Sequence, residues 1–217
     1  MKRSEVIRKI TESGIVAVVR AESKEKGQKI VDAVIKGGIT SIEVTMTVPG
    51  AIDIIRELAA TYKGQDVLIG AGTVLDPETA RACILSGAQF VVSPSFNPET
   101  VKLCNRYAVA VMPGIMTIRE ALSALEYGVE ILKVFPGSAF GPKIIGAFKG
   151  PVPQADFMPT GGVKLENAAE WIKGGAVAVG TGSDLTRGAK TGDYALVTET
   201  AKKFVAAVQA AKAELKK

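Results

Sequence analysis

The chain has 217 residues, 47% of them hydrophobic and 23 of them glycine, which fits one compact domain over residues 1–217 and leaves little room for a second core. Its net charge of +5 comes largely from C-terminal lysines, for which we predict a solvated helix face and no nucleic-acid partner. The sequence contains no histidine, which excludes histidine-based triads, histidine general bases and the commonest zinc sites.

The predicted elements begin with a helix over roughly residues 2–13, which we expect at the N-terminal end of the fold. Short apolar, β-branched segments then recur at intervals too long for hairpins but sufficient for a strand and a crossover helix. These eight predicted strands cover residues 15–20, 41–46, 67–73, 90–95, 109–114, 131–136, 156–161 and 176–182. Eight such units fit a closed parallel sheet better than an open one. We therefore predict an α/β fold, a (β/α)8 TIM barrel with an extra N-terminal helix.

Helix start signals lie between these strands. Asp76 and Asn97 each precede a proline, and Thr117 stands three residues before Glu120, the spacing of a capping box. Several strands run into proline or glycine. Termination of a strand explains Pro113, because proline cannot donate to a ladder. Double glycines elsewhere also let backbone N–H groups approach an anion.

Lys133 lies inside the sixth predicted strand between apolar neighbours. Because side chains alternate along a strand, Lys133 shares a face with Ile131 and Phe135. It points into the barrel if Leu132 and Val134 pack on the helices. Burial disfavours the ammonium and lowers the pKa of a lysine, which supplies the neutral amine that attacks a carbonyl. The alternative is a lysine paired permanently with a carboxylate.

Glu43 is the matching feature of the second predicted strand, on the same face as Thr45 and Thr47. An inward carboxylate needs partners, and we consider Lys133 or Arg20 for the charge and the two threonines as hydrogen-bond donors. Schiff-base chemistry requires such a carboxylate, because carbinolamine formation, dehydration and carbon–carbon cleavage each move a proton. The alternative is a core ion pair with no further role.

Two glycine clusters, residues 160–162 and 180–183, follow the seventh and eighth predicted strands. Barrels of this type frequently bind phosphate between these two loops, where backbone N–H groups meet the anion. The sequence therefore favours a phosphate site over simple turn geometry. Thr73, at the end of the third strand, is a candidate donor to a carboxylate.

The cysteines and the apolar segments indicate the cellular location. Cys83 and Cys104 form no C-x-x-C pair, and we expect both to stay reduced. No segment approaches the ~20 apolar residues needed to span a bilayer, and a charged amphipathic segment stands where a signal core would. We expect a cytoplasmic protein with no membrane partner.

Taken together, these residues resemble the 2-keto-3-deoxy-6-phosphogluconate (KDPG) aldolase family, small single-domain barrels that cleave a phosphorylated keto-deoxy acid through a lysine Schiff base. The resemblance covers nearly the whole chain, and the ordered set of motifs is specific although no single motif is. The motifs are IVAVVR (15–20), IEVT (42–45), IGAGT (69–73), QFVVSP (89–94), MPG (112–114), LKVFP (132–136) and PTGG (159–162).

The resemblance implies roles for individual residues. Lys133 would form the Schiff base and Glu43 would be the acid/base. Some members place an arginine where this chain has Thr47, so Arg20 or Thr73 is expected to share the role of meeting the substrate carboxylate. The other implied substrate-binding residues are Thr73, Pro94 and Phe135 around the pyruvyl part, and Gly161, Gly162, Gly182 and Ser183 at the phosphate.

The predicted function is cleavage of KDPG to pyruvate and glyceraldehyde 3-phosphate by a class I (Schiff-base) aldolase. We expect no metal and no other cofactor, and the resemblance implies a homotrimer. Two alternatives remain open. One is an aldolase for 4-hydroxy-2-oxoglutarate or a galactonate epimer, although the glycine clusters argue against a purely unphosphorylated substrate. The other is a non-catalytic phosphosugar-binding or assembly barrel, in which Glu43 and Lys133 only pair.

Overall fold

A computed structural model describes residues 1–215 and shows parallel strands surrounded by helices, which confirms the predicted barrel with its N-terminal helix. The strands are β1 Ile15–Val19, β2 Ser41–Thr45, β3 Leu68–Gly72, β4 Phe90–Val92, β5 Ala110–Met112, β6 Gly114–Ile115, β7 Ile131–Val134, β8 Asp156–Pro159 and β9 Val179–Thr181. The last strand starts later than predicted, because Ala176 N still bonds to Trp171 O, at the end of the preceding helix.

The helices are α1 Arg3–Ser13, α2 Lys24–Lys36, α3 Ala51–Thr61, α4 Pro77–Leu85, α5 Pro98–Arg106, α6 Ile118–Glu126, α7 Lys143–Lys149, α8 Ala168–Lys173 and α9 Tyr194–Glu214. The three predicted start signals are confirmed. Asp76 and Asn97 accept hydrogen bonds from the N–H groups three residues on, and Thr117 forms a capping box with Glu120. Short 3-10 turns at Gly137–Ala139 and Arg187–Thr191 follow β7 and β9.

The barrel wall consists of two hydrogen-bonded sheets. One has the order β5-β4-β3-β2-β1-β9 and the other the order β6-β7-β8. An isolated bridge between Thr160 and Gly180 joins β8 to β9 on one side. On the other side, the chain passes directly from β5 to β6 through a single residue, Pro113.

Pro113 interrupts its strand but does not end it, so our interpretation of simple termination is wrong. Its carbonyl accepts a bond from Lys133 N at 2.9 Å, whereas Met112 O accepts one from Ser93 N on the other side at 3.3 Å. Proline removes a donor but keeps its acceptor. The chain therefore exchanges neighbours at this residue, and β6 continues the wall beside β7.

Side chains alternate between two apolar clusters. The outward residues of the strands, Leu132 and Val134 among them, pack with the helices. The inward residues form a second cluster that includes Val6 and Ile10 of α1. Helix α1 thus closes the N-terminal end of the barrel, as predicted. Within residues 1–215, no helix is both long enough and apolar enough to cross a membrane.

Candidate functional site

Lys133 and Glu43 meet inside the barrel. Lys133 comes from β7 and Glu43 from β2, and their neighbours along each strand point outward into the helix layer. Nζ of Lys133 lies 3.9 Å from Oε1 of Glu43, and the two side chains are 3% and 0% exposed. The predicted inward orientation of both residues is confirmed. Two oppositely charged groups withdrawn from water in this way are costly to keep unless they interact.

The Glu43 carboxylate has no hydrogen-bond donor among the described residues. The expected donors serve other acceptors. Thr45 Oγ1 donates to Val19 O at 3.2 Å and lies 2.7 Å from Thr47 Oγ1. The prediction that the two threonines donate to Glu43 is therefore wrong. Thr45 lies two residues nearer the rim than Glu43, where its hydroxyl reaches the carbonyl of the adjacent strand β1. Arg20 makes no ion pair with Glu43 within residues 1–215, so Lys133 is the cation that faces the carboxylate.

Phe135 connects the buried lysine to an open cavity. The Lys133 ammonium nitrogen lies 4.9 Å from the centroid of the Phe135 ring, within the range of a cation–π contact. Phe135 in turn lines a cavity of about 370 Å³ at the C-terminal end of the strands. The amine is therefore one ring away from a space that a small ligand can enter.

The two predicted glycine loops line the same cavity. The lining includes the predicted residues Gly161, Gly162, Gly182 and Ser183, together with Arg20. Gly161 and Gly162 have φ angles of 85° and 75°, the left-handed region that favours glycine. The N–H groups of Gly162, Gly182 and Ser183 donate to no other described residue, which leaves them available to an anion.

The residues considered for the substrate carboxylate lie in different places. Arg20 lies at the end of β1, and its Nη1 is 3.1 Å from the position that a Cβ on Gly182 would occupy. The guanidinium is thus beside the second glycine loop. Thr47 is exposed and lines an adjoining cavity that also contains Arg20 and Ser183.

Thr73 and Pro94 line neither of these two cavities. Thr73 has a φ of 56°, which is strained for a β-branched residue, and it directly follows the glycine that faces Glu43. Pro94 places its carbonyl against Gly114 of β6. A larger cavity of about 580 Å³ lies around Lys9 and Tyr62 at the opposite end of the barrel, away from all predicted site residues.

The sequence interpretation missed Thr160 and the inward glycines of β3. Thr160 is 3% exposed and lines the cavity, and its hydroxyl has no partner among the described residues. The alternation of β8 contained this signal, because Phe157 points outward and Met158 inward, which turns Thr160 inward too. Gly70 and Gly72 leave space for the Phe90 ring and the Glu43 carboxylate, respectively.

No group of three or more Cys, Asp and Glu side chains in the described chain is arranged to hold a metal ion. The chemistry available at the site is that of a buried amine, a buried carboxylate and a loop rich in backbone donors. This set suits covalent catalysis on a carbonyl compound that carries an anionic group.

Comparison with known proteins identifies similar chains. The sequence model of the KDPG and KHG aldolases matches residues 6–200. A 2-dehydro-3-deoxy-6-phosphogalactonate aldolase of Escherichia coli is 37% identical over 201 residues, covering 92% of this chain and 95% of that protein. A 2-dehydro-3-deoxy-phosphogluconate aldolase of Treponema pallidum is 38% identical over 190 residues, covering 85% and 88%.

A solved structure of a similar protein has the same fold. The KDPG aldolase from Legionella pneumophila, with pyruvate captured as a covalent carbinolamine intermediate, superposes with a TM-score of 0.82. It is 29% identical in sequence, and the match covers 89% of this chain and 95% of that one.

Proposed function

Because the chain belongs to the KDPG and KHG aldolase family, we propose that it cleaves KDPG to pyruvate and glyceraldehyde 3-phosphate through a Schiff base on Lys133. Membership of the family makes the protein a Schiff-base aldolase. The observation that carries the finer proposal is the buried Lys133–Glu43 pair behind Phe135, next to a cavity walled by two glycine loops.

The first stage of the proposed reaction forms the Schiff base. The neutral amine of Lys133 attacks the C2 ketone and gives a carbinolamine, which loses water to become an iminium. Each of these steps moves a proton. Glu43 is the group placed to carry it, because its Oε1 is 3.9 Å from the attacking nitrogen. The iminium is the electron sink of the reaction, so the mechanism needs no metal.

The second stage breaks the carbon–carbon bond. Glu43, directly or through a water molecule, removes the proton of the C4 hydroxyl. The electrons of the C3–C4 bond then pass to the iminium, so that glyceraldehyde 3-phosphate leaves and an enamine remains on Lys133. Protonation of the enamine at C3 and hydrolysis of the resulting iminium release pyruvate and the free amine.

The substrate phosphate is assigned to the glycine loops in this proposal. The N–H groups of Gly162, Gly182 and Ser183, which donate to no acceptor within residues 1–215, support the assignment, as does the Arg20 guanidinium beside Gly182. Phe135, Thr73 and Pro94 are assigned to the pyruvyl part. Thr73 is then the remaining candidate for the carboxylate, since Arg20 lies on the phosphate side and Thr47 is bonded to Thr45.

A second candidate substrate is the galactonate epimer of KDPG. The identity of 37% to the phosphogalactonate aldolase is close to the 38% to the phosphogluconate aldolase. Both substrates carry the phosphate for which the loops are suited, whereas 4-hydroxy-2-oxoglutarate does not. A non-catalytic barrel has less support, because the ring of Phe135, which contacts the buried Lys133, also lines a cavity beside the glycine loops.

The experiment that tests the proposal measures pyruvate release from the two phosphorylated epimers and from 4-hydroxy-2-oxoglutarate, through a coupled lactate dehydrogenase assay. We expect the highest kcat/KM for KDPG. A higher value for the galactonate epimer would favour the second candidate. Pyruvate release from none of the three would favour the non-catalytic barrel.

We also propose a cytoplasmic homotrimer. The two cysteines are free, as is usual for cytosolic proteins. Exposed apolar side chains concentrate on one side of the barrel, on or beside α4, α5 and α6: Leu75, Leu85, Tyr107, Met116 and Leu122. Such residues mark a surface suited to a second copy of the chain. Light scattering of the purified protein should give three times the mass of the chain.

A further inference from the structure

We infer that Gly72 is a positioning residue for the Glu43 carboxylate. A Cβ atom on Gly72 would lie 2.5 Å from both Cγ and Cδ of Glu43 and closer still to Oε1, well inside van der Waals contact. The missing side chain therefore leaves a notch, and the carboxylate of Glu43 occupies it. This inference rests on the catalytic role proposed for Glu43.

Backbone conformation does not explain the glycine. Gly72 is not among the residues with a positive φ, and it ends a regular parallel strand in register with Thr45 of β2. An alanine is therefore compatible with its backbone. What glycine supplies at this position is space.

The notch matters because hydrogen bonds do not fix Glu43. Neither carboxylate oxygen has a donor in the described chain, and the ammonium of Lys133 is 3.9 Å away. The orientation of the carboxylate is thus set by the walls around it. Gly72 forms the wall that touches the carboxylate carbon and the preceding methylene. Filling the notch would push the proton-transferring group out of place.

The test is a double-mutant cycle on cleavage, with Gly72→Ala, Glu43→Ala and the double variant compared with the wild type. We expect Gly72→Ala to lower kcat about 10²-fold, the cost of a misplaced catalytic group. In the Glu43→Ala background the same substitution should cause no further loss of kcat, because the group it displaces is absent. An equal fold-loss in both backgrounds would mean a general structural role and would overturn the inference.

Thermal unfolding of the same four proteins tests the notch independently of activity. Overpacking should lower the Tm of Gly72→Ala by about 2–12 °C, and this loss should disappear in the Glu43→Ala background. Gly70→Ala is the matched control from the same strand, since its Cβ would meet the Phe90 ring. Its Tm loss should be the same with and without Glu43.

The remaining outcomes also decide between the two proposals. If Gly72→Ala does not fold, folding of the double variant supports the inference, and failure of the double variant to fold overturns it. If the wild type forms no borohydride-trapped adduct with pyruvate at Lys133, the proposed function fails, whatever the Tm cycle gives. If the wild type cleaves its substrate but the Tm losses are additive, the Gly72 inference alone fails.

Discussion

Lys133 Nζ lies 3.9 Å from Glu43 Oε1 in a part of the barrel where both side chains are almost fully buried. Each of the two residues belongs to a different hydrogen-bonded sheet. Removal of one partner leaves the other as an uncompensated buried group, which is destabilising. Variants at either position therefore need a check of folding beside the measurement of activity.

The first prediction concerns the nucleophile. Pyruvate and borohydride should add irreversible mass to the wild type at Lys133 and none to Lys133→Ala. Mass spectrometry of a digest measures the adduct. Lys149→Ala is the control, because Lys149 also lies 3.9 Å from a carboxylate, that of Asp156, but is 29% exposed. It should keep the adduct, and mapping of the mass to any lysine other than Lys133 would contradict the assignment.

The second prediction concerns Glu43. Glu43→Gln keeps the size of the side chain but cannot carry the proton, so turnover should fall about 10²–10⁴-fold while substrate binding and folding remain. Steady-state kinetics and circular dichroism measure the two effects. Glu57→Gln, an exposed residue that pairs with Lys24, should leave turnover unchanged. A near-normal rate for Glu43→Gln would show that the carboxylate is structural.

The third prediction concerns phosphate. Gly162→Val should raise KM strongly for the phosphorylated substrate while sparing slow cleavage of an unphosphorylated analogue, because a side chain there blocks access to backbone donors. Gly162 has a φ of 75° and Ser138 beside it, so part of the effect is strain. Gly64→Val supplies the control, since it has a φ of 82° but nothing within 4 Å.

Two results of this experiment decide whether the glycine loops bind the substrate phosphate. Gly64→Val should lose stability without a change in the preference between the two substrates. Equal impairment of Gly162→Val with both substrates, in a folded protein, would contradict the phosphate site and favour an unphosphorylated substrate.

The fourth prediction concerns the cysteines. Burial raises the pKa of the Cys83 thiol to about 11 and that of Cys104 to about 12. At pH 8 both should therefore react with a thiol reagent far more slowly in the native protein than after unfolding, because the thiolate is the reacting form. Absorbance with a chromogenic disulfide measures the two rates.

The same shifts make stability depend on alkaline pH. Since both folded-state pKa values are raised, the thiols contribute stability below the usual pKa of about 9 and lose it as pH rises towards 11–12.

In the labelling experiment, fast reaction of the native protein at pH 8 would contradict the burial of both groups.

Most of the fold was predictable because its signals are local and repeated. Apolar strands at crossover spacing, and helix caps such as Asp76 and Thr117, each depend on a few adjacent residues. The inward orientation of Lys133 and Glu43 followed from alternation along single strands. The continuation of the wall after Pro113 could not be predicted in this way. Whether a strand resumes after a proline depends on which strand pairs with it, and the partner here, β7, is distant in sequence.

In the site, the sequence predicted the direction in which side chains point along a single strand, but not the contacts between neighbouring strands. The bond from Thr45 to Val19 depends on the stagger between β1 and β2, which no spacing within one strand specifies. The role of Gly72 likewise depends on what faces it from the adjacent strand. In both cases the missing information is register, a property of pairs of strands.

The exchange of neighbours at Pro113 has a consequence for redesign of the barrel. Lys133 and Glu43 belong to the two different sheets of the barrel wall. These sheets meet at Pro113 on one side and at the Thr160–Gly180 bridge on the other. The distance between acid and nucleophile therefore depends on how the two sheets meet at these two junctions. The two glycine loops also follow strands of different sheets, β8 and β9, so a change at Pro113 that alters the spacing of the reacting groups would alter the proposed phosphate site as well.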